Sequence, residues 1–373
     1  MKIDLNTIDR SQFMVHQHFL KSGESVWLIQ PQHIGVKWSQ NNKHLRSVVV
    51  NSEGDVISIG FSKFTNWGEN PENFPVPVSL KNAVTVEKLD GSLLIVSKYK
   101  GEYILRTRGT VDAETALDNG SELEVFKAEY LPKLAPHCDF FATEETWPCS
   151  ILFEWLSPVN KIVINYGDAP EFRLVGWIWH NGPKEGQLEA QSILDSLAAQ
   201  TGFKRPETYK FDSVTDLLSQ VDAWKGKEGV VVYTHNGQML HKVKGAWYLA
   251  LHHMKSELSN IEKVMDVWLE QGRPDYQTFY TYIVNTFDYE LAEQCRGHIS
   301  NICDGYKEVI KIVEAMGRFV EPLKTVGRKD AALKIIAAYG ETNRGGFCFK
   351  ILDGKPLVKD DYKKLLFQVL KKG

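Results

Sequence analysis

The sequence predicts an α+β protein in two parts, a strand-rich mixed portion over residues 1–260 and an all-helical portion over 261–373. Three observations carry that prediction. At 373 residues the chain is long enough for two domains, each with its own core. Up to about residue 250, short runs of β-branched and aromatic residues alternate with turn signals. Beyond that point strand alternation disappears and apolar residues recur at helical spacing.

Taken in order, LRSVVV (45–50) and VISIGFSKF (56–64) read as strands joined by the polar turn NSEGD (51–55). Pro71, Pro75 and Pro77 interrupt the next stretch, because proline fixes φ and lacks an amide donor. AVTVEKLDG (83–91), SLLIVSKY (92–99) and EYILRTRGT (102–110) form a second strand series, with Lys100-Gly101 turning between the last two. Residues 112–135 read as partly helical. ILFEWL (151–156), KIVINY (161–166) and FRLVGWIW (172–179) are expected as three further strands, and 187–199 and 214–223 as helices. EGVVVYTHNGQMLHKVKG (228–245) reads as a hairpin turning at Asn236-Gly237, a strong short-range signal. In the second part 251–271, 275–296, 299–320 and 328–340 read as helices. Val309, Ile312, Val313 and Met316 share a face there, and Val264, Val267 and Leu269 lie near one another.

Composition removes several classes. The hydrophobic fraction of 43% supports folded cores rather than disorder. Five scattered cysteines with no CxxC pair predict reduced thiols and a cytoplasmic setting. The start, MKIDLNTIDRS, lacks a signal-peptide core, and no apolar run is long enough to span a membrane. A net charge of -3 argues against a polyanion partner until it is divided by region. Residues 311–373 hold 14 lysines and arginines against 7 acidic residues, so the average conceals a basic segment. A solvated lysine-rich tail and a polyanion-facing surface both fit that segment.

The most informative run is Thr85-Val86-Glu87-Lys88-Leu89-Asp90-Gly91-Ser92. Period-two geometry would place Lys88 and Asp90 on one face, and Gly91 would allow a turn or a close backbone approach. That arrangement suits a lysine attacking an activated phosphorus atom. A lysine nucleophile must be uncharged, and three units of pKa depression require about 4 kcal/mol from desolvation and neighbouring cations. Alone, the run also fits a strand-edge lysine before an Asp-Gly turn. The similar KILDG at 350–354 has one extra residue between lysine and aspartate and no comparable partners. Lys242 and Lys244 flank Val243 on an expected strand, so both could face one ligand while Val243 enters the core.

With these motifs taken together, the chain resembles the phage RNA ligase 1 family of covalent nucleotidyltransferases over about residues 40–256. Lys88-Leu89-Asp90-Gly91 matches the nucleotidyl-lysine motif, and Arg46 and Lys63-Phe64 match the basic elements upstream. Arg108 in TRGT, Glu154 in LFEWLSPVNKIV, Glu228-Gly229 and Lys242-Val243-Lys244 follow in family order, with similarity continuing to Lys255. The sequence departs from the pattern at Ser47, where glycine is common, at Arg108, where lysine is common, and at Thr65, where an aromatic is expected.

The resemblance implies a nucleotidyltransferase fold, with an ATP-grasp-like ligase core as adenylyltransferase domain (1–260) and a helical domain with an RNA-specificity role (261–373). It implies that Lys88 becomes adenylylated by ATP, assisted by Lys242 and Lys244 at the α-phosphate. Arg46, Lys63, Phe64, Asp90, Gly91, Arg108, Glu154, Glu228, Lys242 and Lys244 would bind the nucleotide, with Phe64 near adenine. Glu154 and Glu228 would bind the metal, magnesium or alternatively manganese. The implied partner is RNA with 5′-phosphate and 3′-hydroxyl ends, cleaved tRNA being the candidate form, with no membrane and no obligate protein partner. If the chain is phage-encoded, the compartment is the infected host's cytoplasm. The alternatives are a DNA-joining or GTP-using relative, or a non-catalytic nucleic-acid binder. DNA ligases commonly carry arginine where this chain has Leu93, and no C-terminal OB-fold or four-cysteine zinc pattern is legible. His16, His18, His252 and His253 likewise show no zinc spacing, and the tryptophans read mainly as core.

Overall fold

The computed structural model describes residues 1–33, 35–114, 120–140, 146–159, 161–235, 237–258, 260–286 and 289–371. The chain divides into two compact units, Met1–Ala250 and Leu251–Gly373. The first is mixed α+β, and the regular structure of the second is helical.

Three sheets build the first unit. Antiparallel strands β1 (Phe13–Phe19), β2 (Ser25–Pro31), β3 (Val48–Val50) and β4 (Val56–Ile59) form the first in that order. The others use β5 (Thr65–Asn66), β6 (Val84–Lys88), β7 (Ser92–Tyr99), β8 (Glu102–Arg106), β9 (Cys149–Leu156), β10 (Glu171–Trp179), β11 (Thr208–Tyr209), β12 (Gly229–Thr234) and β13 (Met239–Lys244). The second sheet has the order β10-β9-β7-β8 and the third β11-β6-β12-β13-β5. Val48, Ile59, Ile95 and Leu152 pack the first sheet on the second. A larger aromatic core gathers Phe126, Trp147, Phe153, Trp155 and Phe172 on the second sheet. It is covered by α1 (Gly120–Val125), α2 (Leu131–Asp139) and α3 (Gln191–Thr201).

The third sheet matters most for function because its faces differ. Val230, Val232 and Val243 point to one side and bury against Leu217 and Val221 of α4 (Val214–Asp222). That helix starts at Ser213, whose Oγ accepts the Asp216 amide at 3.0 Å. Its two core residues are four apart, and each contributes about 1.5–3 kcal/mol on burial. The alternate residues of β6, β12 and β13 therefore face the opposite way.

Several expected elements differ. Residues 161–166 form no strand, because the Val163 and Ile164 amides donate to a side chain rather than to a ladder. The strand expected over 56–64 stops at Ile59, and the helix expected at 187–199 occupies Gln191–Thr201. The β1–β2 hairpin has no counterpart in the sequence reading. The turn expected at Asn236-Gly237 involves Asn236, which lies outside the described residues; the flanking strands β12 and β13 pair antiparallel, with Thr234 opposite Met239.

In the second unit α5 (Ala246–Leu258) runs across the division and is followed by α6 (Ile261–Glu270), α7 (Tyr276–Thr286) and α8 (Tyr289–Val320). Then come α9 (Arg328–Tyr339), α10 (Gly345–Leu352) and α11 (Lys359–Leu370). The break expected between 296 and 299 is absent: α8 continues through Gly297. Its buried residues Cys295, Ile299, Ile302, Val309, Met316 and Val320 keep three-, four- and seven-residue spacing along one core face. Lys350 of KILDG is tied to Asp361, with Nζ 2.6 Å from Oδ1. The five cysteines are buried and unbridged, and no helix among the described residues is long and apolar enough to cross a membrane.

Candidate active site

Register across the third sheet brings the lysines together. Lys88 on β6 lies opposite Gly229 on β12, and Gly229 lies opposite Lys244 on β13. Gly229 adopts φ +149°, and a Cβ there would sit 2.0 Å from the Val243 carbonyl oxygen. Only glycine fits, so no side chain separates the two lysines. Their ammonium groups converge on the preceding residue, Glu228, which is 2% exposed. Lys88 Nζ donates to Glu228 Oε2 at 2.8 Å, and Lys244 Nζ lies 2.8 Å from Oε1. The next row is Val86–Val231–Lys242, which sets Lys242 on the same face.

The chain then leaves β6. Gly91 passes the Trp155 carbonyl so closely that a Cβ would lie 2.5 Å from its oxygen, and its amide donates to Glu154 Oε1 at 3.2 Å. The glycine thus serves a close backbone approach, not a positive-φ turn. Asp90 does not share the face of Lys88. The strand ends at Lys88, so the two-residue period stops there. The buried Asp90 carboxylate instead accepts the Val163 and Ile164 amides through Oδ2 at 2.7 and 2.8 Å. Its Oδ1 accepts the Tyr248 hydroxyl at 2.7 Å, and its own amide donates to Tyr166 Oη at 2.9 Å. Asp90 fixes the loop beside the lysine and is fully engaged in doing so.

A cavity of about 500 Å³ opens above this row. Arg46, Phe64, Lys88, Gly91, Arg108, Glu154, Lys242 and Lys244 all line it. Phe64 carries two cations, with the Arg46 guanidinium 5.2 Å and Lys242 Nζ 5.9 Å from its ring centroid. Burial and the crowding of Lys244, Lys63, Arg46 and Lys88 lower the Lys242 ammonium to about 8. Burial, then Arg108, lowers Arg46 to about 10. Burial raises Glu154 to about 7 despite the neighbouring Lys88, and Glu154 makes no ion pair among the described residues. A pocket with this excess of cations, most of them half-buried, suits a polyphosphate. Lys63 is not in it. Its side chain faces an adjoining cavity, where Nζ lies 5.7 Å from the Trp38 ring centroid.

Sequence reasoning missed the parts that hold these residues. Arg106 is fully buried, and burial lowers it to about 9. It donates to Ser58 Oγ and Ser47 Oγ, each at 2.7 Å, and Ser47 Oγ donates onward to the Arg108 carbonyl at 2.7 Å. Serine at position 47 therefore ties the segment after Arg46 to the segment carrying Arg108. Tyr166 and Tyr248 were also missed; their role depends on the irregular 161–166 loop, which has no sequence signature.

The donor chemistry fits a divalent cation bound partly through substrate. Glu154 offers a half-buried carboxylate lining the cavity, and Glu228 approaches closely enough to raise its pKa. Magnesium commonly takes one or two carboxylates and completes its shell with phosphate oxygens and water. The described residues hold no cluster of three metal-ligating side chains that would form an all-protein cage.

The description "RNA ligase" fits residues 44–256 as a family match. An RNA ligase of Rhodothermus phage RM378 is 24% identical over 384 residues, covering 85% of this chain and 82% of the relative. A candidate bifunctional polynucleotide kinase/RNA ligase of Autographa californica nuclear polyhedrosis virus is 26% identical over 250 residues. That match covers 64% of this chain and spans only 35% of the viral protein. An archaeal ATP-dependent RNA ligase structure superposes over 81% of this chain and 76% of its own, at 14% identity and TM-score 0.44.

Proposed function

The chain belongs to the RNA ligase family of the T4 ligase 1 type, and from that premise we propose that it is an ATP-dependent RNA ligase with Lys88 as its nucleophile. The observation that carries this reading is the row Lys88–Gly229–Lys244, which sets a lysine beside a carboxylate at the floor of a cationic cavity. In the first step the Lys88 amine attacks the α-phosphorus of ATP. The Lys88 ammonium, paired with Glu228 at 2.8 Å in the resting arrangement, first gives one proton to water. The P–N bond then forms, the bond to the bridging oxygen breaks, pyrophosphate leaves, and the second nitrogen proton is released to solvent. In the second, a 5′-phosphate oxygen of RNA attacks the phosphoramidate, forming a P–O–P bond and returning the lysine. In the third, a 3′-hydroxyl attacks that activated end, making the phosphodiester and releasing AMP.

Lys242, Lys244 and Arg46 stabilise charge on the α-phosphate, Arg108 contacts phosphate, and Phe64 packs against adenine. Glu154 and Glu228 hold magnesium or manganese, which supplies Lewis-acid neutralisation of phosphate charge when bound. Asp90 and Gly91 act on the nucleotide indirectly, by fixing the backbone beside Lys88. Residues 1–260 are the adenylyltransferase domain, an ATP-grasp-like ligase core, and the helical domain over 261–373, with its basic 311–373 segment, selects RNA. The biological role that fits is RNA repair, cleaved tRNA included, in a cytoplasm. The test offers matched 5′-phosphorylated RNA and DNA strands with ATP and magnesium. Joining of RNA in preference to DNA is expected; DNA joining without RNA joining would overturn the assignment.

A further inference from the structure

The cavity that Lys63 faces is not accounted for by the nucleotide-binding step. It measures about 460 Å³ against about 500 Å³ for the Lys88 cavity, and the two share Phe61, Phe64 and Leu240 as a common wall. Two compartments of nearly equal size thus adjoin across two phenylalanines, whose rings meet edge to face at 6.1 Å. Lys43 and Lys63 both line the second compartment. The Lys63 amide donates to the Lys43 carbonyl at 2.7 Å, so the two lysines are placed as a pair. Neither makes an ion pair with a carboxylate among the described residues, although both are half-buried. Burial lowers the pKa of each; at Lys63 the Glu69 carboxylate offsets part of that effect, while Lys43 shows burial alone.

We propose that this second cavity binds the terminal, 5′-phosphate-bearing nucleotide of a single-stranded RNA, with phosphate on Lys43 and Lys63 and the base against Phe61 and Phe64. The proposal rests on the ligase reading and deepens it by placing the RNA end. Aromatic faces beside unpaired cations form the combination that holds single-stranded nucleic acid with little sequence preference. A bare pyrophosphate would use the lysines but leave the apolar wall, continued by Phe74, Ile178 and Leu188, without a role. The 5′-phosphate end is favoured over the 3′-hydroxyl end because Lys63 lies within electrostatic reach of Arg46 and Arg108, which line the Lys88 cavity. A phosphate on Lys63 therefore sits on the side from which it must reach the adenylylated lysine.

The test separates the first two chemical steps in the full chain. Lys43→Gln and Lys43→Arg are compared with the parent for transfer of label from ATP to protein. The labelled proteins are then given a 5′-phosphorylated RNA oligonucleotide over a range of concentration and potassium chloride. For Lys43→Gln, labelling within about twofold of the parent is expected. A KM for RNA raised about tenfold in the transfer step is also expected, the loss of one charge-assisted phosphate contact. The slope of log affinity against log salt should fall by about 0.7, one phosphate's share for a single strand, and Lys43→Arg should restore both. An RNA KM within about twofold of the parent overturns the proposal. So does a loss of ATP labelling in proportion to the loss of transfer, which would assign the cavity to the ATP phosphates. Failure of the parent to take label from ATP under any metal condition would overturn the ligase reading itself, an outcome distinguishable from both.

Discussion

Replacing Glu228 by glutamine removes the carboxylate that Lys88 and Lys244 share. In the native arrangement its oxygens lie 2.8 Å from Lys88 Nζ and 2.8 Å from Lys244 Nζ. Gly229 places nothing between those lysines, and Lys242 adds a third cation nearby. Removing one partner of a buried ion pair costs about 3–5 kcal/mol, because the remaining charge is left uncompensated. Here Lys88 and Lys244 are 22% and 20% exposed, so water recovers part of that loss. A value of about 2–3 kcal/mol follows. For a unit of this size each kcal/mol shifts the melting temperature by about 2–4 °C, so Glu228→Gln should melt about 4–12 °C lower. Calorimetry of the nucleotide-free protein at pH 7 measures it. Adding Lys244→Met removes one stranded cation, and the double variant should recover part of the deficit. A Glu228→Gln melting temperature within 1–2 °C of the parent, or a double variant less stable than the single one, would refute the reasoning.

Two other predictions come from the same sheet. The Lys242 value near 8 lies below the ordinary 10.5, so the unfolded chain binds more protons between those limits and stability should rise with pH across that window. Its phosphate contact needs the ammonium, so the KM for ATP in adenylylation should rise above about pH 8 in the parent and stay flatter in Lys242→Arg; identical profiles would contradict the assignment. Gly229→Ala drives a Cβ to 2.0 Å from the Val243 carbonyl, whereas Gly202→Ala at φ +76° meets open space. Urea unfolding should show about 1 kcal/mol lost at Gly202 and well over 3 kcal/mol, or no soluble protein, at Gly229; equal losses would sink the register argument.

What the sequence discloses here follows the range of the interaction that decides each feature. Lys242 and Lys244 could be read as neighbours on one face because strand alternation is local, and Val243 between them is buried as that alternation requires. The row that joins Lys88 to Lys244 through Gly229 could not, because register between strands separated by 140 residues is non-local. Asp90 shows the cost of extending a local rule past its element: β6 ends at Lys88, and the aspartate turns to the 161–166 backbone that looked like a strand. In the helical unit the sequence reads as separate helices over 275–296 and 299–320, yet packing along the Cys295–Ile299–Ile302 face carries α8 through Gly297, where glycine costs a helix only about 1 kcal/mol. Charge was misleading in the other direction. The small net value conceals both the basic C-terminal segment and the local crowding of cations around Phe64.

The most direct test of the account is the position of the covalent adduct. The full chain is incubated with ATP labelled at the α-phosphate and magnesium, digested, and the modified peptide is sequenced by mass spectrometry. An acid-labile AMP on Lys88 alone is expected, lost in Lys88→Ala and abolished or greatly slowed in Lys244→Met. AMP on another lysine, or labelling that survives Lys88→Ala, would contradict it.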